Sequence, residues 1–204
     1  MKKRVFLILI AVAFALPCLA AINANGAKAI AQTEKAIAAT SIANFELPDA
    51  NGTRRSFDSL KGANGTVLIF VSVNCPVSNA YNERMEKLAA DYKARGISVV
   101  GINANQTESI ADIKRHAAEK NLTFPILKDA GNKIADKLGA QVTPEAFFID
   151  ANSKLVYHGR IDNSRNAASI SASELRDAIE AKLAGQAITK AEAKAFGCSI
   201  KRAS

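Results

Sequence analysis

The most constraining feature of this sequence is an apolar run that ends at a cysteine. The run TVLIFVSV spans residues 66–73, and Asn74, Cys75 and Pro76 follow it. Because it is mostly β-branched or aliphatic, with almost no polar interruption, it predicts a strand buried on both faces of a sheet. Behind Cys75, apolar side chains recur at steps of three or four residues, which predicts a helix that Gly96 ends. These apolar positions are Val77, Tyr81, Met85, Leu88 and Tyr92.

The rest of the chain alternates short strands with helical patterns. Residues 97–105 (ISVVGINAN) predict a second buried strand, and residues 143–150 and 154–162 predict a hairpin. Helical spacing of apolar residues returns around Ile110 and around Leu175. Alternating helices and apolar strands followed by a terminal hairpin predict an α/β fold, in which a mixed central sheet carries helices on both faces.

The N-terminus has the pattern of a secretory signal peptide. Lys2, Lys3 and Arg4 precede a short apolar stretch, and small residues follow it around position 21. We therefore predict a signal peptide at residues 1–21 and an exported protein, periplasmic or secreted. An uncleaved membrane anchor is the alternative, and it is the only membrane contact that the sequence predicts.

Three further segments are predicted. The Ala-rich residues 22–40 form a linker, residues 41–186 form the folded domain, and residues 187–204 form a C-terminal tail that carries the last cysteine and is only partly packed. Cys18 lies in the leader, and Pro17 before it disfavours lipidation, which needs a tiny residue there. Removal of the leader on export would therefore leave two thiols in the mature protein, Cys75 and Cys198.

Composition excludes several function classes. The formal net charge of +8 includes the leader, and the basic residues are scattered rather than interleaved with aromatic side chains, which argues against nucleic-acid binding. The sequence has no glycine-rich phosphate loop and no serine-centred hydrolase elbow. Two histidines, His116 on the predicted exposed side of a helix and His158 in the hairpin, do not match zinc spacing with two distant cysteines. We predict no bound cofactor and no metal site.

The position of Cys75 favours a reactive thiol. It lies at the start of the predicted helix, where unpaired backbone N–H groups and the helix dipole stabilise a thiolate. Pro76 fits the first helical turn, where its missing N–H costs nothing. Asn74 and Ser78 add polar groups that could hydrogen-bond to the sulfur. The alternative is a buried cysteine that serves only as a small apolar filler.

Cys198 is the second candidate thiol. Gly197 gives the backbone freedom beside it, and Lys201 and Arg202 favour its anion. Cysteines in chain tails are often incidental, and that alternative stays open at this point.

Six motifs are spread across residues 41–202: FVSVNCPVSNAYNERM, GINAN, FPILKD, QVTPEAFFID, YHGRID and FGCSIKR. Together they resemble the thioredoxin-like, peroxiredoxin-like redoxins of the alkyl hydroperoxide reductase/thiol-specific antioxidant superfamily. The resemblance implies a thioredoxin-like fold with Cys75 as the attacking thiol. It also implies that the Thr143–Pro144 bond is cis and packs against Cys75, and it favours a resolving role for Cys198.

Departures from the superfamily patterns bear on the reaction. The dithiol motif Cys-x-x-Cys has Ser78 at its fourth position, so a resolving thiol must come from elsewhere or the chemistry uses one thiol. The peroxidatic pattern Pro-x-x-x-Thr-x-x-Cys retains a hydroxyl at Ser72 but has Leu68 in place of proline. Arg160 is the candidate replacement for a peroxide-binding arginine. These losses place disulfide exchange ahead of peroxide reduction.

The sequence therefore predicts an exported thiol–disulfide oxidoreductase or thiol antioxidant. Its expected partners are a thiol-protein electron donor and a protein disulfide or peroxide substrate. The alternatives are a thiol-dependent peroxidase and a non-catalytic thioredoxin-fold module that holds a partner protein or a metal. No oligomeric state is predicted.

Overall fold

A computed structural model describes residues 41–203, so the predicted signal peptide and linker lie outside the described residues. Its strands are β1 (Glu46–Pro48), β2 (Arg54–Ser56), β3 (Gly65–Phe70), β4 (Ile97–Asn103), β5 (Ile126–Lys128), β6 (Val142–Thr143), β7 (Glu145–Asp150), β8 (Leu155–Gly159), β9 (Glu192–Ala193) and β10 (Cys198–Ser199). Its α-helices are α1 (Phe57–Leu60), α2 (Pro76–Asn79), α3 (Asn82–Lys93), α4 (Ile110–Glu119), α5 (Lys133–Leu138) and α6 (Glu174–Leu183), with a short 3₁₀ helix at Ala167–Ser169.

The central sheet has six strands in the order β5-β4-β3-β7-β8-β9. Strand β3 lies parallel to β4 and antiparallel to β7, and β7 and β8 form the predicted antiparallel hairpin. Two further pairs, β1 with β2 and β6 with β10, are each antiparallel and lie outside this sheet. The predicted mixed sheet is therefore confirmed.

Both faces of the sheet are covered. In β3, Val67 and Ile69 belong to one hydrophobic cluster, whereas Leu68 and Phe70 belong to another, as expected when successive side chains point to opposite faces. The first cluster includes apolar residues of α3, α4 and α6, and the second includes residues of α1 and α5. All four of these β3 side chains are fully buried, so the apolar run before Cys75 lies at the centre of the core.

The helix predicted behind Cys75 is divided in two. Helix α2 ends at Asn79 and α3 begins at Asn82, with Tyr81 at φ −101° and ψ −5° between them. The Tyr81 hydroxyl bonds to Asp162 and to the Ser164 carbonyl, both at 2.9 Å. These tertiary contacts fix Tyr81 at the break between the two helices, and the spacing of apolar residues does not predict them.

The C-terminal tail is packed more closely than the sequence indicates. Strand β9 joins the central sheet beside β8, and β10 pairs with β6. Ala193 and Ile200 are buried, one in each hydrophobic cluster. The boundary predicted at residue 186 stays a prediction, but the residues beyond it contribute to the core. Across residues 41–203, every helix is too short or too polar to cross a bilayer.

Candidate active site

Cys75 caps the helix that follows β3. Its backbone has extended dihedrals, φ −83° and ψ 114°, and Pro76 occupies the first turn of α2. The Ser78 N–H donates to Cys75 Sγ at 3.3 Å, so the sulfur accepts one of the otherwise unpaired amides at the helix start. The sulfur therefore faces the helix amides, as the sequence suggested. Cys75 is nevertheless only 2% exposed, which the sequence did not predict.

Ser72 and Ser78 hold the turn that carries Cys75. The Cys75 N–H donates to Ser72 Oγ at 3.1 Å, and the Ser72 N–H donates to Ser78 Oγ at 3.2 Å. Both serines are buried. Asn74 contributes only its backbone N–H to this turn, since its side chain is exposed. Of the predicted polar neighbours, Ser78 contacts the sulfur only through its backbone N–H, and its hydroxyl accepts from Ser72 instead. The Ser72 hydroxyl contacts the Cys75 backbone N–H.

Glu108 lies beneath this turn and is a residue that sequence reasoning missed. Its carboxylate accepts hydrogen bonds from Ser72 Oγ at 2.6 Å, from the Val73 N–H at 2.9 Å and from the Asn74 N–H at 3.0 Å. Asn103 Nδ2 donates to it as well, at 2.5 Å. In the sequence, Glu108 is one acidic residue in the polar stretch before α4, and the usual prediction for such a residue is that it caps the helix.

The carboxylate of Glu108 is stable as an anion despite being 2% exposed. Burial raises its pKa, but the hydrogen bonds from Ser72, Asn103 and the two backbone amides lower it, and the net direction is below the ordinary value for glutamate. The negative charge thus holds the backbone N–H groups that lead into Cys75.

The Thr143–Pro144 peptide bond is cis and lies against Cys75. The Cys75 thiol donates to the Thr143 carbonyl oxygen at 3.2 Å. The Thr143 hydroxyl is buried and has no hydrogen-bond partner of ordinary geometry among the described residues, although its proximity to the sulfur lowers the pKa of Cys75. The sequence-predicted Pro144 and Cys75 are therefore brought together.

Glu145 fixes the loop that contains this cis bond. Its carboxylate accepts the N–H groups of Gln141 at 2.7 Å and Val142 at 3.1 Å, and it lies 2.5 Å from His158 Nε2. Burial raises the pKa of Glu145, but the hydrogen bonds from His158 and the two amides bring it below its ordinary value. The loop beside Cys75 is thus supported by a second buried carboxylate.

Cys198 lies next to Cys75 because β10 pairs with β6. Cys198 is directly opposite Thr143 in that antiparallel pair, and both cysteines are free thiols. Cys198 is half-buried, whereas Cys75 is buried. The two cysteines, far apart in sequence, therefore form one site.

The two thiols have different acidities. Burial raises the pKa of Cys75, but hydrogen bonds from the Cys198 side chain, from Thr143 and from the Ser78 amide outweigh it, so the pKa lies below the usual value. The pKa of Cys198 is raised, first by its hydrogen bond to Cys75 and then by burial. The first proton to leave this pair therefore leaves Cys75.

Two further residues discussed from the sequence have partners of their own. Arg160, the candidate peroxide-binding arginine, forms an ion pair with the buried Glu174, so its charge is already paired. His116 is buried rather than exposed, because its side of α4 faces Asn82, whose Nδ2 lies 3.2 Å from His116 Nε2. Within residues 41–203, no three His, Cys, Asp or Glu side chains are grouped as a metal site.

A buried thiol at the start of a helix, beside a cis-proline loop and a second thiol on this mixed sheet, defines a thioredoxin-like thiol protein. Comparison with solved structures supports the thioredoxin-like fold. The chain belongs to the AhpC/TSA family, whose sequence profile matches residues 38–158. Residues 159–204, which include Cys198, lie outside the matched range.

Curated relatives are named for thiol chemistry. The chain is 31% identical over 113 residues to the thiol-disulfide oxidoreductase ResA of Halalkalibacterium halodurans. This similarity covers 55% of the present chain and 62% of the relative, so it spans less than two thirds of that protein's own length.

Two solved structures are similar over more of the chain. A hypothetical protein, SMc02350, from Sinorhizobium meliloti 1021 has a TM-score of 0.75 at 32% identity, covering 81% of the present chain and 94% of its own. An uncharacterized conserved protein from Geobacillus kaustophilus has a TM-score of 0.74 at 29% identity, covering 79% and 90% respectively. These similarities extend the fold comparison but assign no reaction.

Proposed function

We propose that the chain is a thiol–disulfide oxidoreductase whose redox centre is the pair Cys75 and Cys198. The observation that carries the proposal is the placement of Cys198 directly opposite Thr143, the residue whose carbonyl oxygen accepts the Cys75 S–H at 3.2 Å. In agreement with it, the pKa of Cys75 is lowered and that of Cys198 is raised by the neighbouring thiol. A thiolate beside a protonated thiol is the arrangement that disulfide exchange requires. The names of the curated relatives support the same reaction class.

Each residue of the site has a defined role in this proposal. Cys75 supplies the nucleophilic thiolate and Cys198 the thiol that pairs with it. Ser72 and Ser78 position the Cys75 backbone and sulfur, Asn74 contributes its N–H to the turn, and Pro144 holds the loop against the sulfur. In a full cycle the two thiols lose two protons and two electrons to form one disulfide, while a substrate disulfide gains them and becomes two thiols. A thiol protein then restores the reduced pair.

Peroxide reduction is a second candidate, favoured by one observation. The buried Thr143 hydroxyl beside Cys75 has no ordinary hydrogen-bond partner among the described residues, and a hydroxyl there suits a bound peroxide oxygen. In that reaction the Cys75 thiolate takes one peroxide oxygen to form a sulfenic acid, and Cys198 condenses with it to release water. Against it, Arg84 and Arg160 are both paired with carboxylates. Disulfide exchange is therefore the preferred proposal.

A non-catalytic binding module is the alternative from another class. It predicts a folded protein that neither links Cys75 to Cys198 nor transfers electrons. The experiment treats the reduced protein with a limiting amount of oxidised glutathione and maps disulfides by mass spectrometry. Insulin reduction and hydrogen peroxide consumption are measured in parallel. Cys75→Ser and Cys198→Ser are the test variants, and Ser199→Ala, on the same short strand, is the control.

We expect a Cys75–Cys198 disulfide, insulin reduction by the native protein and by Ser199→Ala, and loss of turnover in both cysteine variants. A folded protein that forms no such link and reduces neither insulin nor peroxide would be a binding module instead. Peroxide consumption without insulin reduction would make it a peroxidase.

Export belongs to the same proposal. The leader at residues 1–21 and an oxidising compartment fit a pair of thiols that cycles through a disulfide. The intact mass of the mature protein tests this, since removal of the leader shortens the chain and an uncleaved anchor leaves it whole.

A further inference from the structure

The two thiols differ in their access to other molecules. Cys75 is 2% exposed, and Cys198 is half-buried. Strand β10 lies over the Thr143 side of the sulfur, and α2 begins at Cys75 itself. A partner protein that approaches the site in this arrangement therefore meets Cys198 before it meets Cys75.

The segment that closes the site is anchored on its N-terminal side. We call residues 192–203 the C-terminal strap. Before Cys198, β9 lies in the central sheet beside β8, and the Phe196 ring packs edge-on against Tyr81 with the ring centroids 6.3 Å apart. Gly197 approaches the Thr143 carbonyl so closely that a Cβ at position 197 would collide with it. These contacts hold Cys198 from the side of the sheet.

The strap is also anchored after Cys198. The Ile200 N–H donates to the Gln141 carbonyl at 2.9 Å, and the Lys201 N–H donates to Asn105 Oδ1 at 2.7 Å. Two further contacts continue to the end of the described chain, one from the Ala203 N–H to Asn132 Oδ1 at 2.7 Å and an ion pair between Arg202 and Asp136. Exposing Cys75 would require the release of contacts on both sides of Cys198.

We propose that partner proteins exchange disulfides with Cys198, and that the Cys75 thiolate attacks only the sulfur of Cys198. This inference rests on the proposed function and assigns which thiol carries the partner. The strap then stays in place during the reaction, and the buried thiol never forms a mixed disulfide with the partner.

The reaction balances in the reducing direction. Cys198 passes its proton to the neighbouring Cys75 thiolate and attacks a substrate disulfide. One substrate sulfur then leaves as a thiolate and takes that proton from Cys75, while the other remains joined to Cys198. The Cys75 thiolate then attacks Cys198 Sγ, which forms the Cys75–Cys198 bond and expels the second substrate thiolate. Two electrons pass to the substrate, and a solvent proton neutralises the second thiolate at pH values below its pKa.

The oxidising direction is the reverse and explains the unequal acidities. A substrate thiolate attacks the accessible Cys198 sulfur and expels Cys75. Because a thiol of lower pKa leaves faster, the lowered pKa of Cys75 favours this attack over attack on Cys75 itself. A second substrate thiolate then displaces Cys198 and completes the substrate disulfide.

Trapping tests this assignment in the full chain with Cys18→Ser, which leaves only the two site thiols. Reduced Cys75→Ser and Cys198→Ser variants of that protein are each mixed with insulin, and covalent adducts are followed by non-reducing electrophoresis and intact mass. We expect Cys75→Ser to accumulate the insulin adduct roughly tenfold faster than Cys198→Ser, since access decides which sulfur reacts. Faster trapping by Cys198→Ser would overturn the inference and would show that the strap opens.

A second measurement avoids substitution at either cysteine. The oxidised protein with both cysteines is mixed with a cysteine-containing peptide, quenched with acid, and digested for mass spectrometry. We expect the transient peptide adduct on Cys198 with Cys75 free, whereas an adduct on Cys75 would contradict the inference. If the native pair forms no Cys75–Cys198 disulfide at all, it is the proposed function that fails, so the two failures are distinguishable.

Discussion

Cys198 lies opposite Thr143 in the antiparallel pair of β10 and β6, and the Thr143 carbonyl accepts the Cys75 S–H at 3.2 Å. Thr143, whose carbonyl group is part of the cis bond, therefore contacts both thiol-bearing segments: it pairs with Cys198 in the strands and accepts the Cys75 S–H through its carbonyl oxygen. The acidity of Cys75 consequently depends on a segment that lies far from it in sequence.

Removing the Cys198 side chain should raise the pKa of Cys75. The hydrogen bond from Cys198 is the largest of the effects that lower this pKa, so Cys198→Ala removes it, whereas Cys198→Ser retains a hydroxyl donor. The measurement is the rate of iodoacetamide reaction at Cys75 against pH, followed by mass spectrometry of its peptide. We expect the midpoint of this pH profile to lie at a higher pH in Cys198→Ala than in Cys198→Ser. Equal midpoints in the two variants would show that the second thiol does not stabilise the thiolate.

Replacing Glu108 should destabilise the protein. Its buried carboxylate accepts hydrogen bonds from Ser72, Asn103 and two backbone amides, and Glu108→Gln replaces one acceptor oxygen with a donor NH₂ group. We expect the free energy of unfolding to fall by about 2 kcal/mol, the usual loss for hydrogen bonds to a charged group. Urea unfolding checks this, and the exposed Glu119→Gln on α4 is the control, for which we expect little change. Equal stability of the two variants would contradict the role given to Glu108.

The same substitution should change how stability depends on pH. The pKa of Glu108 is lower in the folded protein than its ordinary value, so the folded state binds fewer protons than the unfolded chain. Its contribution is therefore complete above about pH 4.3, the ordinary glutamate pKa, and is lost as the pH falls through the folded value. We expect the stability difference between the native protein and Glu108→Gln to shrink in acid. A difference that is constant from neutral to acidic pH would contradict this.

Removing the buried ion pair between Arg84 and Asp162 should destabilise the protein more than removing an exposed ion pair. The two side chains are 16% and 5% exposed, and Arg84 also lies over the Tyr81 ring. Arg84→Met leaves the buried Asp162 without its charge partner. We expect the free energy of unfolding to fall by about 3 kcal/mol. The matched control is Arg54→Met, which removes an exposed ion pair with Glu46. We expect it to lower the free energy of unfolding by less than about 1 kcal/mol. Urea unfolding of both variants checks the ranking, and an equal cost would contradict it.

The parts of the site set by local chemistry could be predicted from the sequence. The strand before Cys75, the helix start at Pro76 and the cis bond at Pro144 follow from an apolar run, a proline in the first turn and a family motif. The first two features depend on neighbours in the chain, so local patterns predict them, whereas the cis bond was implied only by the family resemblance.

The parts set by tertiary contacts could not be predicted. Glu108 reaches the turn from the segment before α4, and its acidic side chain in a polar stretch gives no sign of burial. His116 was placed on the wrong face because its partner Asn82 belongs to another helix. The pairing of β10 with β6 joins two-residue strands, which are too short to leave a pattern.

Gly197 lies between Phe196 and Cys198 in the C-terminal strap. A Cβ at this position would collide with the Thr143 carbonyl, and that backbone cannot move aside as a flexible side chain would. Gly197→Ala should therefore separate β10 from β6 while leaving the central sheet intact. We expect faster alkylation of Cys75 by iodoacetamide, because the strap that covers it is displaced.

Ser199→Ala is the matched control, because Ser199 lies on the same strand but is exposed, and we expect its alkylation rate to equal that of the native protein. Far-ultraviolet circular dichroism verifies that Gly197→Ala remains folded. The substitution should also weaken the hydrogen bond from Cys198, so the reaction midpoint of Cys75 should move to higher pH even as its access increases. If Gly197→Ala alkylates no faster than Ser199→Ala, then the β10–β6 pairing does not limit access to Cys75, and its burial must come from α2 and the core alone.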